Sequence, residues 1–148
     1  MCKTYSKRVI RKKVPSFKRK MERVGYLENF DMNQNGHLIN TTIPKDKPVF
    51  VYIFSSMCPA CKSFGPVYQQ FVKKHPEVVA LAIQSDGERE SERDLGNRLG
   101  DMFPDIIGYP TVYMFENNKK MAELEERSIK GLEQMIQKWY LRHYSLNM

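Results

Sequence analysis

A run of six apolar residues, Val49-Phe50-Val51-Tyr52-Ile53-Phe54, closes just before Cys58-Pro59-Ala60-Cys61, which opens a helical pattern. This junction constrains the fold more than any other stretch. The run is rich in β-branched and aromatic residues and too short to cross a bilayer, which predicts a buried central strand. Beyond it, Phe64, Val67, Tyr68, Phe71 and Val72 recur at the spacing of one helix face. The cysteines therefore fall at a helix N-terminus, where the first N–H groups lack intrahelical partners and the helix dipole places partial positive charge. Cys58 suits the N-cap, and Pro59 suits the first helical position, where a missing N–H is harmless and the fixed φ fits. One turn of helix returns Cys61 to the side of Cys58, within reach of a mixed disulfide formed on the first sulfur. The spacing predicts dithiol exchange.

The remaining chain supplies the partners that a central strand needs. His75-Pro76 ends the helix, and residues 78–83 read as a second strand, giving a βαβ unit with parallel strands and a right-handed crossover. Residues 85–98 are charged and predict a solvated helix with loops. Residues 112–115 and 121–124 flank Glu116-Asn117-Asn118-Lys119-Lys120, the pattern of an antiparallel hairpin with a type I′-like turn. Ile129, Leu132, Met135, Ile136 and Trp139 mark a last amphipathic helix, with Trp139 assigned to packing. Residues 25–47 are expected to hold a first short strand, with Tyr26, Leu27, Phe30, Leu38 and Ile39 capping the core.

Cys58-Pro59-Ala60-Cys61 after an apolar strand, followed by Gly108-Tyr109-Pro110-Thr111 before another, resembles the thioredoxin superfamily, with protein disulfide isomerase domains as the nearest branch. The resemblance runs from about Lys47 to Tyr140 and takes in Pro66, the Asn117-Asn118 hairpin and Glu126-Arg127-Ser128 before Gly131-Leu132. It implies an α/β fold, a thioredoxin-like three-layer α/β/α sandwich with a mixed central sheet. It also implies that Cys58 is the nucleophile and Cys61 the resolving thiol, and that Pro110 is a cis-proline facing them. Tyr109, Pro110, Met57 and Pro59 are then the substrate-binding residues, and Tyr109 lends its backbone to a bound peptide. Three departures stand out. Many members bury an acidic residue where this chain has Tyr52, Met57 stands before Cys58 where tryptophan is usual, and Ala60 replaces the histidine that makes isomerase motifs strongly oxidising. A less oxidising couple is expected.

Composition assigns the rest. The formal charge of +7 suggests a nucleic-acid binder, yet residues 1–24 hold ten Lys or Arg against one acid, Glu22, leaving the remainder at −2. The chain therefore divides into a basic N-terminal arm, 1–24, and a nearly neutral thioredoxin-like domain, 25–148. The arm either solvates the terminus or binds an acidic protein surface, nucleic acid or anionic lipid. It has no apolar core after its charges, so no secretory signal peptide is expected, and the expected compartment is the cytoplasm.

Several other chemistries are excluded. Asp31-Met32-Asn33-Gln34-Asn35-Gly36 imitates the opening of a calcium loop, but its twelfth place is Thr42 rather than glutamate, so a turn is expected. One Cys-x-x-Cys and three dispersed histidines, His37, His75 and His143, do not make a zinc site, and no metal or cofactor is expected. Cys2, the third cysteine, reads as a free thiol. The leading expectation is a thiol-disulfide oxidoreductase acting on protein disulfides. The alternative, from another class, is a structural or adaptor protein that uses the fold to dock and the arm to anchor, for instance as a virion component; the chain resembles the thioredoxin-like proteins without signal peptides that large DNA viruses encode.

Overall fold

A computed structural model of the chain describes residues 24–26, 46–87, 90, 93, 94, 108–117 and 119–144. The strands are β1 (Val24–Tyr26), β2 (Val49–Phe54), β3 (Val79–Gln84), β4 (Thr111–Glu116) and β5 (Lys119–Glu123), and the helices are α1 (Pro59–Lys74) and α2 (Ile129–Tyr144). One mixed sheet has the order β1-β3-β2-β4-β5. β3 runs parallel to both β1 and β2, whereas β4 is antiparallel to β2 and to β5.

Every residue of β2 is buried, which is why its sequence lacks polar alternation. Its period of two still divides the sheet's faces. Phe50, Tyr52 and Phe54 join the main apolar core with Ala80 and Ala82 of β3 and Val112 and Met114 of β4. The register sets Tyr52 between Ala82 and Val112, so small neighbours leave room for its ring. Both helices pack on this face, through Phe64, Tyr68, Phe71 and Val72 of α1 and Leu132, Met135, Ile136 and Trp139 of α2. Val51, Ile53, Tyr113 and Phe115, on the other face, are equally buried, so the sheet is the middle layer of the sandwich. Tyr68, fully buried, ties α1 to the sheet by donating toward the carbonyls of Leu81 (3.0 Å) and Phe50 (3.2 Å).

Some boundaries differ from the sequence reading. Val24, counted with the arm, is the first residue of β1 and pairs with Ala80. The hairpin turn is tighter than expected, because Lys119 and Lys120 belong to β5. Asn117 takes the left-handed conformation (φ 55°), and a register shift falls between Met114 and Phe115. Asparagine tolerates that conformation, and two lysines suit an edge strand. In the charged stretch after Gly87, the described residues Glu90, Arg93 and Asp94 are helical. The expected arm over residues 1–23 with Cys2, and the turn at residues 31–36, lie outside the described residues. Among the described residues, no helix is long and apolar enough to cross a membrane, and no cluster of three or more His, Cys, Asp or Glu could hold a metal ion.

Candidate functional site

The topology brings three loops to one end of the sheet. β2 and β3 are parallel and finish level, with Phe54 opposite Gln84, while β4 starts beside the end of β2, with Thr111 opposite Ile53. The segment entering α1, the loop leaving β3 and the Tyr109-Pro110 bend therefore meet. Such strand ends, where a helix N-terminus also points, are common places for chemistry in α/β sheets.

Cys58 is the N-cap of α1, with extended backbone (φ −100°, ψ 110°) and Pro59 following it. The N–H of Cys61 points at Cys58 Sγ (3.1 Å), and the Cys58 carbonyl accepts from the N–H groups of Cys61 (3.1 Å) and Lys62 (3.3 Å). The sulfur thus occupies the place of a capping oxygen, sharing the Cys61 N–H with the Cys58 carbonyl. Its thiol donates to the Tyr109 carbonyl at 3.3 Å. Cys58 is half-buried and Cys61 buried, and both are free thiols.

Burial pushes the Cys61 thiol up to about 12, with its hydrogen bond to Cys58 and the nearby Cys58 charge acting the same way. A backbone hydrogen bond at Ser55 and the positive charge of Arg127 pull in the opposite direction without prevailing. Directly beneath, Tyr52 is fully buried and its hydroxyl donates to the Cys61 carbonyl at 3.2 Å. Burial, then the nearby cysteine sulfurs, drive the Tyr52 hydroxyl well above the usual phenol range. Gly65, one turn along α1, lies over this hydroxyl, and a Cβ there would meet it in ordinary van der Waals contact at 4.0 Å. The arrangement pairs an accessible sulfur on a helix end with a guarded, proton-holding sulfur one turn behind.

The residues expected around the pair fall as follows. The Tyr109-Pro110 bond is cis, Tyr109 is half-buried and Pro110 is buried. Met57 is 80% exposed immediately before Cys58, and Pro59 is exposed at the first helical position. A cleft of about 410 Å³ opens beside Pro110, lined also by Gly108, Thr111, Glu123, Leu124, Glu125 and Arg127. One participant has no motif to announce it. The Asp86 carboxylate, in the loop after β3, accepts hydrogen bonds from Ser55 and Ser56, which lead into Cys58. Its signal is only a short acid at the end of a strand that the parallel register sets beside Ser55-Ser56.

The thioredoxin family model matches residues 32–138. A thioredoxin-like protein of Invertebrate iridescent virus 6 is 28% identical over 112 residues, covering 68% of this chain and 80% of that protein. A thioredoxin of Ophiophagus hannah is 27% identical over 93 residues, covering 63% of this chain and 80% of that protein. The short form of spinach chloroplast thioredoxin f, at 23% identity, superposes with a TM-score of 0.54 over 78% of this chain and 91% of that one, a likeness of fold. With well over half of its length matched by the family model, the chain belongs to the thioredoxin family, whose domain supports thiol-disulfide oxidoreduction in general.

Proposed function

We propose that the chain exchanges disulfides with protein substrates, Cys58 attacking and Cys61 resolving. The observation that supports this reading is the Cys58 sulfur at the N-cap of α1, facing the Cys61 N–H at 3.1 Å. Negative charge is favoured at that end of a helix. The Cys58 thiolate attacks one sulfur of a substrate disulfide, the substrate S–S bond breaks, and the second substrate sulfur leaves as a thiolate that takes a proton. Cys58 gives its proton to solvent before the attack, so it no longer has an S–H to donate. The Tyr109 carbonyl, which accepts that S–H in the free protein, is released to accept a peptide N–H from the substrate.

In the second step Cys61 gives up its proton to solvent or to the departing sulfur and attacks Cys58 Sγ, forming the Cys58–Cys61 disulfide and expelling the remaining substrate sulfur. Two electrons pass to the substrate, and both protein sulfurs are oxidised. Burial is the main reason that Cys61 holds its proton, and formation of the mixed disulfide removes the nearby Cys58 charge that adds to that hold. Met57 and Pro59 form the exposed surface that meets the substrate, and Tyr109 and Pro110 form the facing wall. With alanine rather than histidine between the cysteines, the couple is of the reductase type rather than the isomerase type, and the natural setting is a reducing compartment such as the cytoplasm. Insulin reduction with dithiothreitol tests the reading. Turnover that disappears in Cys58→Ser supports it, and absence of turnover from the parent protein contradicts it.

A further inference from the structure

The carboxylate of Asp86 is bound from one side by the segment that carries the cysteines. Oδ1 accepts the Ser56 N–H at 3.0 Å, and Oδ2 accepts the Ser56 hydroxyl and, at 3.4 Å, the Ser55 hydroxyl. From below, the fully buried Gln84 donates its Nε2 to Oδ1 at 3.3 Å. The serines pass the constraint forward. Ser55 Oγ accepts the N–H of Met57 (3.1 Å), and the Ser55 carbonyl accepts the N–H of Cys58 (3.2 Å). Ser85 fastens the same two loops a second time, its N–H (2.9 Å) and hydroxyl (3.3 Å) both reaching the Phe54 carbonyl. Partial burial alone would push the Asp86 carboxyl up, but the hydrogen bonds from Ser56 and Gln84 outweigh it and hold the group below the usual range. It is therefore an ionised acceptor at neutral pH, and charge-assisted bonds of this sort are the stronger ones.

We propose that Asp86 is a positioning residue for Cys58, latching the Ser55-Ser56 turn so that the sulfur stays at the α1 N-terminus and Met57 stays turned outward. The latch gives the proposed exchange its geometry, and so rests on that reading. The carboxylate does not touch the reacting atoms. It acts through two backbone groups, the N–H of Cys58 and the N–H of Met57, both fixed by Ser55.

The test is iodoacetamide alkylation of Cys58 in the reduced full chain, followed by peptide mass across a range of pH, with folding checked by circular dichroism. Asp86→Ala is expected to slow alkylation at neutral pH by about tenfold, the scale of a lost hydrogen bond to a charged group. Asp86→Asn, which keeps an oxygen for the Ser56 N–H but loses the charge, is expected to stay within about threefold of the parent, since a neutral bond is roughly half as strong. Ser56→Ala is expected to slow alkylation as well, and to add little on top of Asp86→Ala, because the two residues act as one unit. If Asp86→Ala does not fold, Asp86→Asn and Ser56→Ala carry the same comparison.

An unchanged rate in folded Asp86→Ala overturns the latch. So does faster alkylation in both Asp86 variants, which would make the carboxylate only a repelling charge, and so does full additivity with Ser56→Ala. Insulin turnover separates this outcome from the fate of the parent reading. A parent protein that turns over insulin while Asp86→Ala alkylates normally loses the latch alone, whereas slowed alkylation without parental turnover keeps the latch and removes the exchange reaction.

Discussion

The Tyr52 hydroxyl lies under the first turn of α1 and donates to the Cys61 carbonyl at 3.2 Å. Tyr52 is fully buried, stacked on Phe54 with ring centroids 4.7 Å apart and tilted against Tyr68 at 4.8 Å. A buried phenol that keeps its proton is a donor, so beneath this pair there is a fixed anchor for the helix rather than an acceptor for the Cys61 proton. In the proposed exchange, the Cys61 proton therefore leaves by another route, toward solvent or the departing substrate sulfur.

Tyr52→Phe separates anchoring from proton transfer. The ring contacts remain and one hydrogen bond is lost, so the variant is expected to be less stable by about 1 kcal/mol in urea unfolding. Its pH profile of insulin reduction is expected to match the parent's. A profile that shifts by a full unit while stability is unchanged would assign Tyr52 a proton-transfer role instead.

Cys61 sets a pH dependence of stability whose sign follows from its raised value. In the unfolded chain this thiol ionises near its ordinary value of 9.0, whereas in the folded protein it holds its proton to about 12. Between those values the folded state binds more protons, so the contribution is whole below about pH 9 and is lost as pH rises toward 12. Reduced parent protein is expected to lose stability more steeply across this window than reduced Cys61→Ala. Parallel curves from chemical denaturation would contradict the assignment.

Arg127, exposed on the segment before α2, places a positive charge that favours the Cys61 thiolate. Arg127→Ala is expected to slow release of a mixed disulfide from Cys58 by a few-fold at low salt. An exposed charge is screened within about 10 Å at 0.1 M ionic strength, so the difference should shrink as salt is added. A deficit independent of salt would point to lost packing instead.

Gly131 is the tightest backbone contact at the start of α2. A Cβ there would stand 1.9 Å from the Glu126 carbonyl oxygen, while its N–H is already held by Ser128 Oγ at 3.0 Å. Backbone cannot step aside as a side chain can, so Gly131→Ala is expected to destabilise the fold by about 1–3 kcal/mol, read as a lowered urea midpoint. A neutral effect would mean that the Glu126-Arg127-Ser128 turn relaxes freely.

What could be read in the sequence was what short-range chemistry encodes. Val49 to Phe54 had no polar alternation because both faces of β2 are covered, and Cys58-Pro59 marked its own place as N-cap and first helical residue. Pro110 stood out because Gly108-Tyr109-Pro110-Thr111 preceded a strand, and the bond before it is cis. The relationships that arise only from register were hidden. Asp86 meets Ser56 across thirty positions because β2 and β3 end level, and Tyr52 finds the Cys61 carbonyl because α1 crosses above it. Lys119 and Lys120 looked like turn residues and proved to be strand, since an exposed edge accepts lysine at little cost and Lys120 also covers the Tyr113 ring at 4.4 Å.

The reduction potential of the Cys58/Cys61 pair tests the central claim most directly, measured by equilibrating the full chain in glutathione buffers and trapping the thiols. A reversible disulfide with a potential near about −270 mV is expected, the range of a thioredoxin-type reductase, and well below the about −180 mV of an isomerase. If the two cysteines form no reversible disulfide at any poise, the exchange reaction is contradicted and the fold serves here as a docking module.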